Sequence, residues 1–457
     1  MQEQILEKLE TILGKDGVVA DRTHILNYLA DETPLPVRPQ PADDIVLVKP
    51  ANSQQVASVL RLANEFVIPI FPRGGGTGLS GGAVPTKNGI VISLERMRKV
   101  EVDNANMMAV AEAGVTLTEL AKVAGEANLT FPPHPGDETA QIGGMVATNA
   151  GGSRAVKHGV MRNHVREIEV VLATGEILHL GRRVHKNNVG YDLMQLVIGS
   201  EGTLGIITKA TIQLYPKPLA QLTLIVPYDD RHNAIATVPK ILREGITPLA
   251  VEYVELSLLE RTAKHLGSRW PATKGKCCLI IILDGTSNDE LISQSFAISK
   301  ICQQYSKYEI AAAESPTDQS NILRIRSGVY ASLKSETIEI LDITVPISEL
   351  EHVIDAIARA AVNYDPEIPI FGHAADGNVH VHIMKRSGNV EAGEKMKDEI
   401  YRITIDAGGV ITGEHGIGKI RLSSLPMSLE RKELELMREI KKIFDPNGIL
   451  NPGTKIT

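Results

Sequence analysis

Cysteine is scarce in this sequence. Its 457 residues hold three, Cys277, Cys278 and Cys302, and no C-x-x-C pair. That excludes a disulfide scaffold, a four-cysteine zinc site and an iron–sulfur cluster held by this chain alone. It also suits a reducing compartment. Positive charge is not in excess: 48 Lys and Arg stand against 55 Asp and Glu, a net charge of −7. There is no basic footprint for nucleic acid. No run of about 18 apolar residues occurs, so no transmembrane segment is expected. The opening MQEQILEKLETILG sets Ile5, Leu9 and Ile12 at helical spacing among Glu and Lys, without the apolar h-region of a signal peptide. The expected location is the cytoplasm, with peripheral contact to a membrane redox chain left open. Internal repeats and low-complexity tracts are absent.

What is present is an ordinary globular balance, 43% hydrophobic and 23% charged, in a length that suits two or three domains. The pattern predicts strands at Ile45–Val48, Val67–Phe71, Gly89–Leu94, Met108–Ala113 and Gly205–Leu214, and a hairpin over 168–180 around Thr174-Gly175. It predicts helices over Ser53–Asn64, with the serine as N-cap, and Thr116–Ala127. Residues 131–160, rich in Gly, Pro, Asn and Thr, read as largely irregular. Tyr215-Pro216-Lys217-Pro218 is the boundary candidate. Beyond it, strands at 222–227, 278–283 and 338–345 mix with helices at 233–244, 289–305 and 347–361. That alternation suggests an α+β domain with an antiparallel sheet over roughly 219–425, after a first domain over 1–218 and before a C-terminal segment, 426–457.

The most informative short run is RGGGTGLSGG, residues 73–82. It contains G-x-G-x-x-G at Gly76, Gly78 and Gly81 after a predicted strand, yet the dinucleotide reading fails. Only Gly82–Asn88, with Pro85 inside, precedes the next strand, too little for the crossover helix that motif requires. Such a loop can still wrap a pyrophosphate, because backbone N–H groups converge where no Cβ obstructs them.

RGGGTGLSGG is similar to the pyrophosphate loop of the vanillyl-alcohol-oxidase-type FAD flavoproteins. IGGMVATNAGG at 142–152, GSEGTLGII at 199–207 and Asn451-Pro452-Gly453 match the same family in the same order. The resemblance covers nearly the whole chain. It implies a two-part FAD-binding domain of that type and an α+β cap domain. It also implies FAD contacts at Gly74, Gly75, Gly76, Thr77, Gly78, Gly143, Gly144, Asn149, Gly152, Glu201, Gly202, Ile207 and Asn451. Members that attach their flavin covalently carry a histidine where this chain has Thr77, so the implied FAD is non-covalent. The segment PPHPGD at 132–137 departs from the usual loop at His134 and Gly136.

Two histidine clusters remain. GHAADGNVH, 372–380, sets two imidazoles around an Asp376-Gly377 turn that could fold His373 back towards His380. GEHGIG, 413–418, sets an acid beside a histidine among glycines. Two imidazoles and a carboxylate are a common ligand set for Zn²⁺, Mn²⁺ or Fe²⁺. Strand periodicity alone would pair His380 with His382. Both motifs resemble those of the metal-dependent D-2-hydroxyacid dehydrogenases, which act on D-lactate, glycolate or D-2-hydroxyglutarate. Carried over by position, the resemblance implies His373, His380 and Glu414 as metal ligands, Asn378 as a substrate contact and His415 as general base. It places a carboxylate-binding arginine at Arg324 or Arg326, with Arg326 favoured. Dicarboxylate-specific relatives carry a basic residue in the strand before Asp342; Thr337–Leu341 has none, which favours a small monocarboxylate such as D-lactate.

The expected activity is FAD- and metal-dependent oxidation of a D-2-hydroxy acid to the 2-oxo acid. Electrons would pass to a separate acceptor: an electron-transferring flavoprotein, an iron–sulfur subunit or a quinone. The alternative from a different class is a non-catalytic FAD subunit of such a complex.

Overall fold

A computed structural model describes residues 3–362, 364–365, 367–387 and 390–456. Among these residues the first half of the chain forms two main sheets. One runs in the order Val18–Val19, Ile45–Val48, Gly89–Ser93, Ile70–Arg73, with Gly89–Ser93 parallel to both the Ile45–Val48 and Ile70–Arg73 strands. Val46, Val48, Ile70, Ile90 and Ile92 pack with Val56, Val59, Leu60 and Ala63 of the Ser53–Glu65 helix. Ile45, Leu47, Phe71 and Val91 pack the other way, with Ile25 and Leu29. Covering both faces is what makes these strands unbroken apolar runs. The helix cap is Asn52, whose side chain accepts from Gln55 N, so Ser53 is the first helical residue and not the cap. The strand expected from Val67 begins at Ile70, because Val67 is exposed and sits in the left-handed region at φ 51°.

Parallel strands Ile70–Arg73 and Gly89–Ser93 are joined by residues 74–88, which form no helix. The glycine run is itself the crossover. Arg73 anchors its start from below, donating to the carbonyls of Ala30 (2.6 Å) and Asn27 (2.7 Å). The second sheet is antiparallel, in the order Val100–Asp103, Met108–Glu112, Ile206–Gln213, Val165–Val171, Ile177–Gly181. Between 131 and 160 lie two short helices, Ile142–Thr148 and Ala155–His158, with irregular backbone for most of the rest.

A seven-stranded antiparallel sheet follows, ordered Ala311–Ala313, Ala220–Tyr228, Cys277–Gly285, Ala250–Glu255, Ile370–His373, Asn378–Met384, Thr337–Thr344. Side chains alternate across it. Leu279, Ile281 and Leu283 join a core with Ile235, Val238, Ile298, Ile354 and Ile357. Cys278, Ile280 and Ile282 join another with Leu259, Ala263, Ile322 and Ile325. The three cysteines are free and buried. Near the C-terminus Leu450 bridges to Ile70, and Asn451 N donates to Ile70 O at 2.7 Å. That brings the chain end beside the glycine run. No helix among the described residues is long and apolar enough to cross a membrane.

Glu255 closes the Ala250–Glu255 strand with its carboxyl pushed up to about 7, chiefly by burial; Arg231 opposes this and Glu367 adds to it. From the ordinary carboxyl range up to that value, the folded chain holds a proton that the unfolded chain has released. Stability from this group therefore falls as pH rises through the window and stays lower above it. Glu255→Gln is expected to raise the melting temperature at pH 8 and to leave it nearly unchanged at pH 4.5. Equal shifts at both pH values in thermal denaturation would refute this.

Candidate active site

Two adjoining cavities lie where the sheets meet. The first is walled largely by backbone: residues 74–78, Gly143, Gly144, Glu201, Gly202, Ile207 and Asn451 line it, with Asp31. Of the positions expected to touch FAD, Asn149 and Gly152 stand apart. Asn149 caps the Ile142–Thr148 helix in the left-handed region, its Oδ1 accepting from Arg162 N. Gly152 lines the second cavity. That second cavity holds Arg326, His373, His380 and His382 against Leu79, Leu323, Tyr330 and Phe371. Glu414 and His415 line both cavities.

The imidazoles converge on one oxygen. The Nε2 atoms of His373, His380 and His415 lie 3.5, 3.4 and 3.8 Å from Glu414 Oε1. Two ligands of a tetrahedral ion at about 2.1 Å sit roughly 3.4 Å apart, which His373 and His380 match towards Glu414. The hairpin makes this possible: Ile370–His373 pairs with Asn378–Met384, the turn between them carrying Asp376-Gly377. Glu414 and His415 lie in a loop without regular structure, so neighbours in sequence reach one site.

That loop is held by Asp342, a fully buried acid in the Thr337–Thr344 strand. Its Oδ2 accepts from the backbone N–H groups of Gly413 (2.9 Å), Glu414 (2.9 Å) and His415 (2.7 Å), and from Thr412 Oγ1 (2.8 Å). Burial works to raise its pKa. Its interactions with His415, His380 and Arg421, the N–H of His415 among them, outweigh that and hold it well below the usual carboxylate range. Asp342, His380, Glu414 and His415 form a group close enough to share a cation. Asp342 Oδ2 is nevertheless saturated by these donors, and its carboxylate faces the Nδ1 side of the two rings, 3.9 Å from His380 and 4.0 Å from His415. Asp342 thus stands behind the site, and His373, His380 and His415 meet Glu414 in front of it.

Glu252 holds the other side. Buried in the Ala250–Glu255 strand, it meets His373 Nδ1 at 2.6 Å and Arg326 Nη2 at 2.5 Å. Burial works to raise its pKa, but Arg326 and His373 bring it down to about 2. Burial opposes protonation of His373, yet Glu252 and Glu414 raise its pKa, and a carboxylate behind a ligating histidine fixes its tautomer and increases its basicity. His380 and His382 are both pushed down to about 3, mainly by burial, which keeps them neutral.

Arg326 is buried over the Phe371 ring, with Nη2 on Glu252 and Nε lacking a hydrogen-bond partner. Arg324 points outward to Ser268 and Asn321. Asn378 lines neither cavity. Its amide donates to Asp342 Oδ1 (2.8 Å), Ile343 O (3.0 Å) and Thr344 Oγ1 (3.0 Å), so it supports Asp342. Sequence reasoning missed Asp342 and Glu252 as site residues; His382, which strand periodicity pairs with His380, lines the second cavity. The signal for the two acids was there: each interrupts an apolar strand run, and a buried acid needs partners.

The chain matches two family descriptions: an FAD binding domain over residues 45–181 and the C-terminal domain of FAD linked oxidases over 217–454. It is 43% identical over 426 residues to a D-lactate dehydrogenase of Archaeoglobus fulgidus, covering 93% of this chain and 94% of that one. It is 34% identical to the glycolate oxidase subunit GlcD of Bacillus subtilis, covering 99% and 96%. A p-cresol methylhydroxylase structure superposes with a TM-score of 0.80 at 18% identity, covering 99% of this chain and 96% of that one. That likeness establishes the vanillyl-alcohol-oxidase-type fold.

Asp342→Ala would strip the shared acceptor from three backbone N–H groups. Gly413 N would keep the Asp342 carbonyl, leaving Glu414 N and His415 N orphaned; at about 1–3 kcal/mol per buried orphan donor, the expected loss of stability is about 2 kcal/mol or more. A denaturant midpoint within error of wild type would show that the acid does not hold the loop.

Proposed function

The chain belongs to the FAD-linked oxidase family and is an FAD-linked oxidoreductase, and on that basis we propose that it oxidises D-lactate to its 2-oxo acid using non-covalent FAD and a divalent metal. The observation that carries this reading is the meeting of the two cavities at Glu414 and His415. The backbone-walled cavity fits FAD, which would take the hydride from the substrate's Cα. The donor set His373, His380 and Glu414 fits Zn²⁺, Mn²⁺ or Fe²⁺, which would supply a Lewis acid to the substrate hydroxyl.

The chain's own residues do the rest. The unpartnered Nε of Arg326 offers a donor to the substrate carboxylate, a charge-assisted pairing that also orients the molecule. Leu79, Leu323, Tyr330 and Phe371 give the substrate's alkyl group an apolar wall and keep water from it. His415 Nε2 receives the hydroxyl proton. Among the described residues no lysine lines this cavity, while Asp137 and Glu32, the latter paired with Lys334, do, so a second carboxylate would find no free cation. This supports a monocarboxylate over D-2-hydroxyglutarate, with glycolate as the smaller alternative. The buried Cys277, Cys278 and Cys302 cannot carry electrons onward as a cluster, so an external acceptor is required: an electron-transferring flavoprotein, an iron–sulfur subunit or a quinone.

The test is anaerobic. D-lactate should bleach the flavin band of the purified holoprotein, more strongly than L-lactate, glycolate or D-2-hydroxyglutarate, and a chelator should suppress it. His415→Ala should keep FAD and slow bleaching by about 10²–10⁴-fold. His373→Ala and Glu414→Ala should lose metal first. No bleaching by any of these acids, with FAD and metal both bound, would overturn the reading in favour of a non-catalytic subunit. Full-rate bleaching in His415→Ala would remove the base assignment.

A further inference from the structure

The loop that carries Glu414 and His415 is held from three directions, and two of its holds come from the wall of the FAD cavity. Asp342 takes the N–H groups of 413–415 from the seven-stranded sheet. Glu201 takes those of 417 and 418: Ile417 N donates to its Oε1 at 3.0 Å and Gly418 N to its Oε2 at 2.7 Å. Ser80, in the glycine run, accepts at its carbonyl from Lys419 N (2.8 Å) and donates from Oγ to His415 O (3.1 Å). Both Glu201 and Ser80 line the backbone-walled cavity.

Glu201 is placed unusually for such a latch. It is buried, and its backbone sits in the left-handed region at φ 55°, a conformation that a residue with a side chain keeps only where its surroundings enforce it. Those surroundings are its N–H to Ala147 O (2.7 Å), its carbonyl accepting from Asn451 Nδ2 (2.8 Å), and its carboxylate on the loop. Ala147 and Asn451 line the same cavity. The resemblance by motif implies that Glu201 touches the cofactor; it lines that cavity, and its carboxylate also reaches the histidine loop.

We propose that Glu201 is a positioning residue that links cofactor binding to metal binding. An occupant of the cavity packs against Ser80, Glu201 and Gly202 and so biases the loop they hold towards the arrangement in which Glu414 reaches His373 and His380. Linkage is reciprocal: the metal must tighten cofactor binding by the same factor. The inference rests on the FAD and metal reading above and adds a coupling between the two sites.

The test is a titration of Zn²⁺ alone into FAD-stripped and FAD-loaded full-length protein, counting only the binding that His373→Ala abolishes. Wild type should bind Zn²⁺ about tenfold more tightly when FAD is present, within the usual span of such couplings. Glu201→Ala should bring that ratio close to one. Glu201→Gln, which keeps one acceptor oxygen, should leave an intermediate ratio and covers the case in which the alanine variant does not fold. A purely structural role would lower the melting temperature without moving the ratio. Amide exchange gives a second readout: FAD should slow exchange at Ile417 and Gly418 in wild type and not in Glu201→Ala. Equal Zn²⁺ affinity with and without FAD in wild type would overturn the coupling while leaving the metal site standing. Absence of His373-dependent Zn²⁺ binding in both forms would overturn the metal reading and this inference together.

Discussion

One buried carboxylate organises the histidine site. Asp342 sits at full burial in a sheet strand and faces a loop that has no regular structure of its own. An isolated charge there would be strongly disfavoured. Three consecutive backbone N–H groups and a hydroxyl converge on one of its oxygens, and the guanidinium of Arg421, itself fully buried, contributes charge from nearby. Arg421 also donates to Gly416 O (3.0 Å) and Ile340 O (2.7 Å), tying the loop and the Asp342 strand together a second time. The position of Glu414 and His415 thus follows from electrostatic satisfaction of an acid neither of them contains.

The same logic recurs at Glu252, with a different result. Asp342 is satisfied mainly by backbone and so fixes a loop. Glu252 is satisfied by two side chains, His373 and Arg326, and so fixes a relation between them. One of these belongs to the convergent donor set and the other is the buried arginine of the second cavity. A substrate held by both would find their separation set by one carboxylate. Neutralising Glu252 would leave Arg326 and His373 without the charge that brings them to their places, and breaking a buried pair from one side is more damaging than never having built it.

Sequence reasoning reached the parts whose signal is local. The glycine run announces a backbone-walled cavity by composition, and the two-sided apolar runs announce buried strands. The Asp376-Gly377 turn announces that His373 folds back on the following strand. What it missed depends on contacts across the fold. Asp342 and the N–H groups it accepts are about 70 residues apart, and no spacing rule connects them. Asn378 stands in a motif of site residues, yet its amide is drawn inward by Asp342 and the neighbouring strand. Arg324 and Arg326 are indistinguishable by pattern; only the turn of their helix relative to the sheet sends one to Phe371 and the other to the surface. The strand start at Val67 failed for a local reason, a left-handed residue that composition does not reveal.

The GEHGIG motif can be understood from these constraints. Its glycines are required by crowding as much as by flexibility. A Cβ on Gly413 would collide with Thr344 Oγ1 and lie 2.5 Å from Asn378 Nδ2, the groups that surround Asp342. Gly418, at φ 53°, would drive a Cβ into Ser80 O, the carbonyl that holds the end of the loop. The first glycine lets the loop approach the sheet, and the last lets it approach the cavity wall. Between them the acid and the histidine have no freedom to choose a neighbour, since the backbone on either side is fixed to a different part of the fold. A pair of adjacent residues, which on a strand would face apart, is in this way turned towards a single point, where each lines both cavities.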